Sequence, residues 1–173
     1  MWAPALSLAK HSTNEPWVHK GEPRKMKLSL PKGATSGADP IIDILRQYKT
    51  IAVVGLSSDQ MRPSHGVAAY LQSVGYRIIP VNPNETKVLG EKSYARLEDV
   101  SGKIEIVDIF RRPEEVSAAV EGAFRVGAKV VWMQLGVINE PAAEKARAAG
   151  LTVVMDACLL VEHKRRRVQL AAG

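Results

Sequence analysis

The stretch VVGLSSDQMRPSHGVAAYL, residues 53–71, decides the fold. An apolar run ends at Gly55 and a polar loop follows. Pro63 then opens a segment whose apolar residues Val67, Leu71 and Val74 recur at helical spacing up to a stop at Gly75. This pattern is a strand running through a glycine into a helix. The start of such a helix, with unpaired N–H groups and a partial positive charge, suits a phosphate. Yet the loop carries a single early glycine, where a dinucleotide-binding loop of the G-x-G-x-x-G type carries three. What the loop holds has to be read from the rest of the chain.

Upstream, DPIIDILRQYK (39–49) predicts a helix with Asp39 as N-cap, Pro40 as first helical residue, and Ile41, Ile42, Leu45 and Tyr48 on one face. Five short, buried-type strands follow: TIAVVG (50–55), YRIIPVNP (76–83), KIEIVDIF (103–110), AKVVWMQL (128–135) and LTVVMD (151–156). Between them lie helical segments. RPEEVSAAVEGAFRVGA has Val116, Val120 and Phe124 facing inward, and NEPAAEKARAAG has an Asn139 cap and a Gly150 stop. Residues 87–100 read as irregular with a short helix near the end, and LLVEHKRRRV fits no single assignment. Parallel strands need crossovers, so the alternation predicts an α/β, Rossmann-like, doubly wound parallel five-stranded sheet with helices on both faces. Residues 1–38 show neither period and are broken by Pro4, Pro16, Pro23 and Pro31 and by the linker-like GATSG at 33–37. They are expected to be an irregular N-terminal extension to a domain over 39–173, with Trp2 and Trp17 available to dock.

The net charge of +6 belongs to the ends. Residues 1–40 and 162–173 each contribute +3, and residues 41–161 carry fourteen charges of each sign. A neutral core argues against a nucleic-acid-binding fold. Lys164–Arg167 reads as a solvated basic tail. One cysteine, Cys158, excludes an internal disulfide framework and a multi-cysteine metal site, and it fits a reducing compartment. No apolar run is long enough for a bilayer and no secretory signal is present, so a cytoplasmic location is expected.

In doubly wound sheets ligands bind beyond the carboxyl ends of the strands. After the first strand, Gly55, Leu56, Ser57 and Ser58 form a tight turn with two hydroxyls. Arg62, Pro63 and Ser64 lead into the helix, where Arg62 adds a full charge. These suit a diphosphate. The second strand ends in Val81, Asn82 and Pro83, without the acid that an NAD site uses on its ribose, which leaves room for a ribose carrying a phosphate. The third ends in Phe110, Arg111 and Arg112. Phe110 either stacks on an adenine or packs inside, and the guanidinium groups match phosphate oxygens. Asp108, inside that strand, needs a buried partner. The fourth ends in Gln134, Leu135 and Gly136, with Gln134 either a ligand contact or a satisfied core amide; Trp132 and Met133 read as core. His65 fits a cap, a core position or a catalyst. No triad, carboxylate pair or metal-ligand spacing can be assembled.

Taken together, VVGLSSDQMRPSHGVAAYLQSVGYRIIPVNPN, VDIFRRPEEV, VVWMQLGV and MDACLLVEH resemble the small stand-alone CoA-binding protein family, which is similar to the CoA-binding domain of the succinyl-CoA synthetase α subunit. The resemblance covers about residues 41–165. It implies coenzyme A or an acyl-CoA as ligand, with the sixteen strand-end residues above as its binding residues. One departure is Ala157, where many relatives carry a basic residue. The synthetase needs a phosphorylated histidine and a nucleotide-binding partner domain. None of His11, His19, His65 or His163 matches that histidine, so a binding module without catalysis of its own is expected. The alternative is an NAD(P)-dependent oxidoreductase or NADP-binding protein on the same fold. A mixed disulfide between Cys158 and the CoA thiol is a further possibility, beside a buried, inert cysteine.

Overall fold

In the computed structural model, residues 26–31 and 37–172 are described. In chain order they form β1 (Lys27–Ser29), α1 (Pro40–Gln47), β2 (Thr50–Val54), α2 (Pro63–Ser73), β3 (Arg77–Val81), the hairpin strands β4 (Lys87–Val88) and β5 (Glu91–Lys92), and β6 (Ile106–Ile109). Then come α3 (Val116–Arg125), β7 (Val130–Met133), α4 (Glu140–Ala148), β8 (Thr152–Met155), α5 (Leu159–Arg165) and α6 (Arg167–Ala171). The main sheet has the order β1-β8-β7-β6-β2-β3. Its five predicted strands are parallel, and β1 adds a sixth, antiparallel, along β8.

The chain starts the parallel sheet at β2, steps to β3 on one side, then crosses to β6, β7 and β8 on the other. The direction of winding therefore reverses between β2 and β6, and in such folds the ligand crevice opens at that point. Helices cover both faces. Ala52, Val54, Val107, Ile109, Val131 and Met133 face one core with α3 and α4. Ile51, Val53, Ile106, Val130 and Trp132 face the other with α1 and α2. Alternate residues thus enter opposite cores, which explains why the strands are apolar without interruption.

Three local readings differ from the structure. The strand β1 lies inside the stretch read as irregular. Met26, Leu28 and Leu30 alternate with Lys27 and Ser29 at the strand period, in a run too short to register between Pro23 and Pro31. The docking of Trp2 and Trp17 lies outside the described residues. Phe124, expected inside, is 59% exposed, because α3 turns Ala119 and Ala123 inward toward Ala142, Ala143 and Ala146 of α4. Small side chains let these helices approach closely, and the larger ring is left outside. Val74, expected on the inner face of α2, is also exposed.

The ambiguous C-terminal segment is helical and docks. His163 is buried between the rings of Tyr70 and Tyr76, and its Nδ1 is 2.9 Å from the Tyr70 hydroxyl. Arg166 reaches back across the chain to Asp39 (2.7 Å) and also pairs with the buried Glu162. Asp39 accepts the backbone N–H groups of Ile41 and Ile42 and so caps α1 as expected. One arginine therefore locks the start of the domain to its end. Replacing it (Arg166→Ala) removes charge-assisted bonds and leaves the buried Glu162 paired, among the described residues, with the exposed Arg165. Urea unfolding should show a loss of about 2–3 kcal/mol.

Candidate functional site at the carboxyl edge

Gly55 follows the last residue of β2 with φ +88° and donates its N–H to the Val81 carbonyl at 2.8 Å. A Cβ there would lie 2.3 Å from the carbonyl oxygen of Phe110 and 3.3 Å from Nε of Arg111. The close approach that requires glycine is thus made by the chain's own backbone at the exit of β6. It brings the ends of β2, β3 and β6 together at the reversal of winding, with the Arg111 guanidinium over the glycine.

Beyond it, Leu56 is fully buried and only its backbone faces the edge. Its carbonyl accepts Nδ2 of Asn82 at 2.9 Å. Ser57 donates its N–H to Oγ of Ser64 (3.2 Å), which ties the loop to the first turn of α2. Arg62, the residue before that helix, makes no side-chain cap, and its guanidinium is exposed with Nε 3.9 Å from Asp59. His65 places Nδ1 3.0 Å from the Ser57 carbonyl. A carbonyl only accepts, so Nδ1 carries the proton and the histidine braces the loop.

The corner after β3 holds a residue that the sequence reading missed. No acid stands at the strand end itself, but Glu85 folds back into the glycine loop. Its Oε1 accepts the N–H of Ser58 (2.8 Å), the Ser58 hydroxyl (3.0 Å) and the Ser57 hydroxyl (3.4 Å). The Ser58 N–H, then its hydroxyl, hold the Glu85 carboxyl below the usual glutamate range. Spacing alone gave no sign of this. Asn82 is buried and committed to the fold: Nδ2 to Leu56, Oδ1 to the Asn84 N–H, and its own N–H to Tyr94. Val81 is buried and Pro83 exposed.

At the end of β6, Phe110 is partly buried against the α2-side core, Arg111 lies 3.8 Å from Glu115, and Arg112 is exposed. Gln134 is buried and donates Nε2 to both oxygens of Asp108, at 2.8 and 3.0 Å. That settles the partner of Asp108 and takes up the Gln134 amide. Gly136 donates its N–H to Asp156 at 2.7 Å, and Leu135 is exposed. Ala157 is buried, with its carbonyl accepting the Trp132 indole N–H at 2.8 Å. Cys158 is partly exposed before α5. Burial pushes its thiol up, against backbone N–H groups that lower it, and this works against a reactive thiolate. Among the described residues no cluster of His, Cys, Asp or Glu could hold a metal, and no helix is long and apolar enough to cross a membrane.

The edge is therefore a glycine loop and helix start at a sheet switch point, ringed by arginines. A family model described as a CoA binding domain matches residues 49–164, which include all of it. The chain belongs to this CoA binding domain family. It is 43% identical over 123 residues to YneT of Bacillus subtilis (strain 168), a match covering 71% of this chain and 91% of YneT. A protein from Pyrococcus horikoshii OT3 of solved structure is 42% identical with a TM-score of 0.73, covering 79% of this chain and 96% of that one. A dinucleotide-forming acetyl-coenzyme A synthetase from Ca. Korarchaeum cryptofilum, solved with phosphate and ADP, is 25% identical with a TM-score of 0.57. That match covers 65% of this chain and 27% of the synthetase, so the CoA binding domain is similar to one portion of a larger enzyme.

Gly136 also has positive φ, at +83°, but a Cβ there would meet nothing within 4 Å. Gly136→Ala should cost about 1–2 kcal/mol, the backbone penalty alone. Gly55→Ala adds a collision with a carbonyl and should cost more than about 4 kcal/mol or prevent folding. Chemical unfolding of the two variants side by side separates the effects. Burial pushes the Asp108 carboxyl up to about 8, against the lowering hydrogen bonds from Gln134 and the Ile109 backbone. With the folded value raised, the native state binds the extra proton between the ordinary aspartate value and 8. Stability should fall as pH rises through that window, by at most about 1.4 kcal/mol per pH unit. In Asp108→Asn that slope should vanish, as read from melting temperatures at pH 5 to 8.

Proposed function

We propose that this CoA binding domain binds coenzyme A or an acyl-CoA at the carboxyl edge of its sheet, without catalysis of its own. The observation that carries this reading is the position of Arg111 across Gly55, where a guanidinium meets the glycine loop at the switch point. The diphosphate lies against Gly55–Ser58 and the Arg62–Ser64 entry to α2. Leu56 and Val81 contribute backbone only, because their side chains are buried. Arg111 and Arg112 take the 3′-phosphate, with Phe110 and the Asn82–Pro83 turn beside the adenosine. The pantetheine arm runs past the backbone of Gln134–Gly136, where Leu135 and Ile138 are exposed apolar side chains.

Two or three charge-assisted contacts, each contributing roughly 1.5–3 kcal/mol, together with apolar contacts reach the roughly −8 kcal/mol of a micromolar complex. The nicotinamide alternative has the same fold in its favour but lacks the additional loop glycines. Calorimetry should therefore show CoA binding in the micromolar range, dephospho-CoA binding more weakly, and no heat from NAD(H) or NADP(H). Arg111→Ala should weaken CoA by about tenfold to a hundredfold and narrow its advantage over dephospho-CoA. An added acyl-CoA should be recovered intact by mass spectrometry. No heat and no thermal protection with CoA would overturn the assignment.

A further inference from the structure

The glycine loop binds an anion within its own chain. Three donors converge on one oxygen of Glu85: the Ser58 N–H, the Ser58 hydroxyl and, at longer range, the Ser57 hydroxyl. Every one of them belongs to the loop on which a ligand's diphosphate would rest. Both anions use these donors in the same way, through a charged oxygen that only accepts. A hydroxyl has one proton to give, and two anions side by side repel, so the donors serve one anion at a time. We infer that Glu85 is a resident carboxylate in the phosphate site, displaced when a phosphate-bearing ligand binds.

The local architecture allows the exchange at small cost. The main chain of Glu85 is held independently of its side chain, by its N–H to the Asn82 carbonyl at 3.2 Å. The neighbouring Asn84 N–H is held by Oδ1 of Asn82 at 3.1 Å. Rotating the Glu85 side chain outward therefore breaks its bonds to the serines and leaves the turn after β3 in place. A resident anion also sets selectivity. A ligand with no phosphate at this position offers nothing to replace the carboxylate, so the loop stays occupied. A diphosphate, with more charge and more acceptor oxygens, outcompetes it.

This inference rests on the CoA reading for the identity of the ligand but not for the existence of the anion site, and the test separates the two. Calorimetry on the full chain would compare wild type, Glu85→Ala and Glu85→Gln with CoA and, independently, with inorganic pyrophosphate. The alanine variant should bind both probes about tenfold more tightly, as expected for freeing one charge-assisted contact. The glutamine variant, which keeps the acceptor but not the charge, should also gain affinity for pyrophosphate. Unchanged or weaker pyrophosphate binding in both variants would overturn the inference. CoA binding equally to wild type and to the alanine variant would overturn it while leaving the CoA reading intact. Tighter pyrophosphate binding in the variants with no CoA binding to any of the three proteins would uphold the resident anion and overturn the CoA reading.

Discussion

The carboxyl edge depends on one absent side chain. Phe110 places its carbonyl 2.3 Å from the position a Cβ of Gly55 would occupy, and Gly55 donates its N–H to the end of β3. A single residue at φ +88° therefore joins the ends of three strands where the winding of the sheet reverses. Everything nearby takes its position from that seam. Leu56, the next residue, is completely buried, while Ser57 is half-buried and Ser58 exposed. On the opposite side Arg111 follows Phe110 directly, so its guanidinium is delivered over the loop.

Around the seam, buried and exposed polar groups divide the work. The buried ones are committed to the chain: Asn82 to Leu56, Asn84 and Tyr94, Gln134 to Asp108, and the Asp156 carboxylate to the Gly136 N–H. Left unpaired, each would carry a desolvation cost, and pairing them rigidifies the strand ends. The exposed ones, Arg62, Arg112 and the hydroxyl of Ser58, stand at the rim. Asp108 is the exception to easy satisfaction. It is an acid on a central strand, fully buried with Gln134 as side-chain partner, and that burial pushes its carboxyl up and favours the neutral form.

The sheet was legible because burial on both faces leaves apolar runs that turn residues must punctuate. Gly55, Pro63, Pro113, Asn139 and Gly150 all mark real boundaries. The positions of the strand ends followed from the topology, as did the grouping of the glycine loop with Phe110–Arg112. What the sequence concealed depends on side-chain direction and on contacts distant along the chain. Gln134 is equally plausible as ligand contact or core amide until Asp108, twenty-six residues away, is seen against it. Phe124 falls on the predicted inner face of α3, but alanine packing against α4 rotates that face. Glu85 lies past the strand end in a turn, where no periodicity governs direction, so its return to Ser58 had no signal.

Charge at the edge is a matter of placement. The stretch from residue 41 to 161 is neutral, so its own net charge draws no anion to this edge. The local cations of the edge already have acids at hand. Arg62 faces Asp59 at 3.9 Å, Arg111 faces Glu115 at 3.8 Å, and the serine loop holds Glu85. The two arginine pairs are long, partly or fully exposed contacts of the kind that contribute at most about 1 kcal/mol. In the proposed binding mode a polyanion would exchange these loose pairs for close, charge-assisted ones. While those pairs are in place, neither arginine is left without an acid beside it. On that reading selectivity would come from the number of contacts exchanged at once, which favours a ligand carrying phosphates at two separate positions over one carrying a single charge.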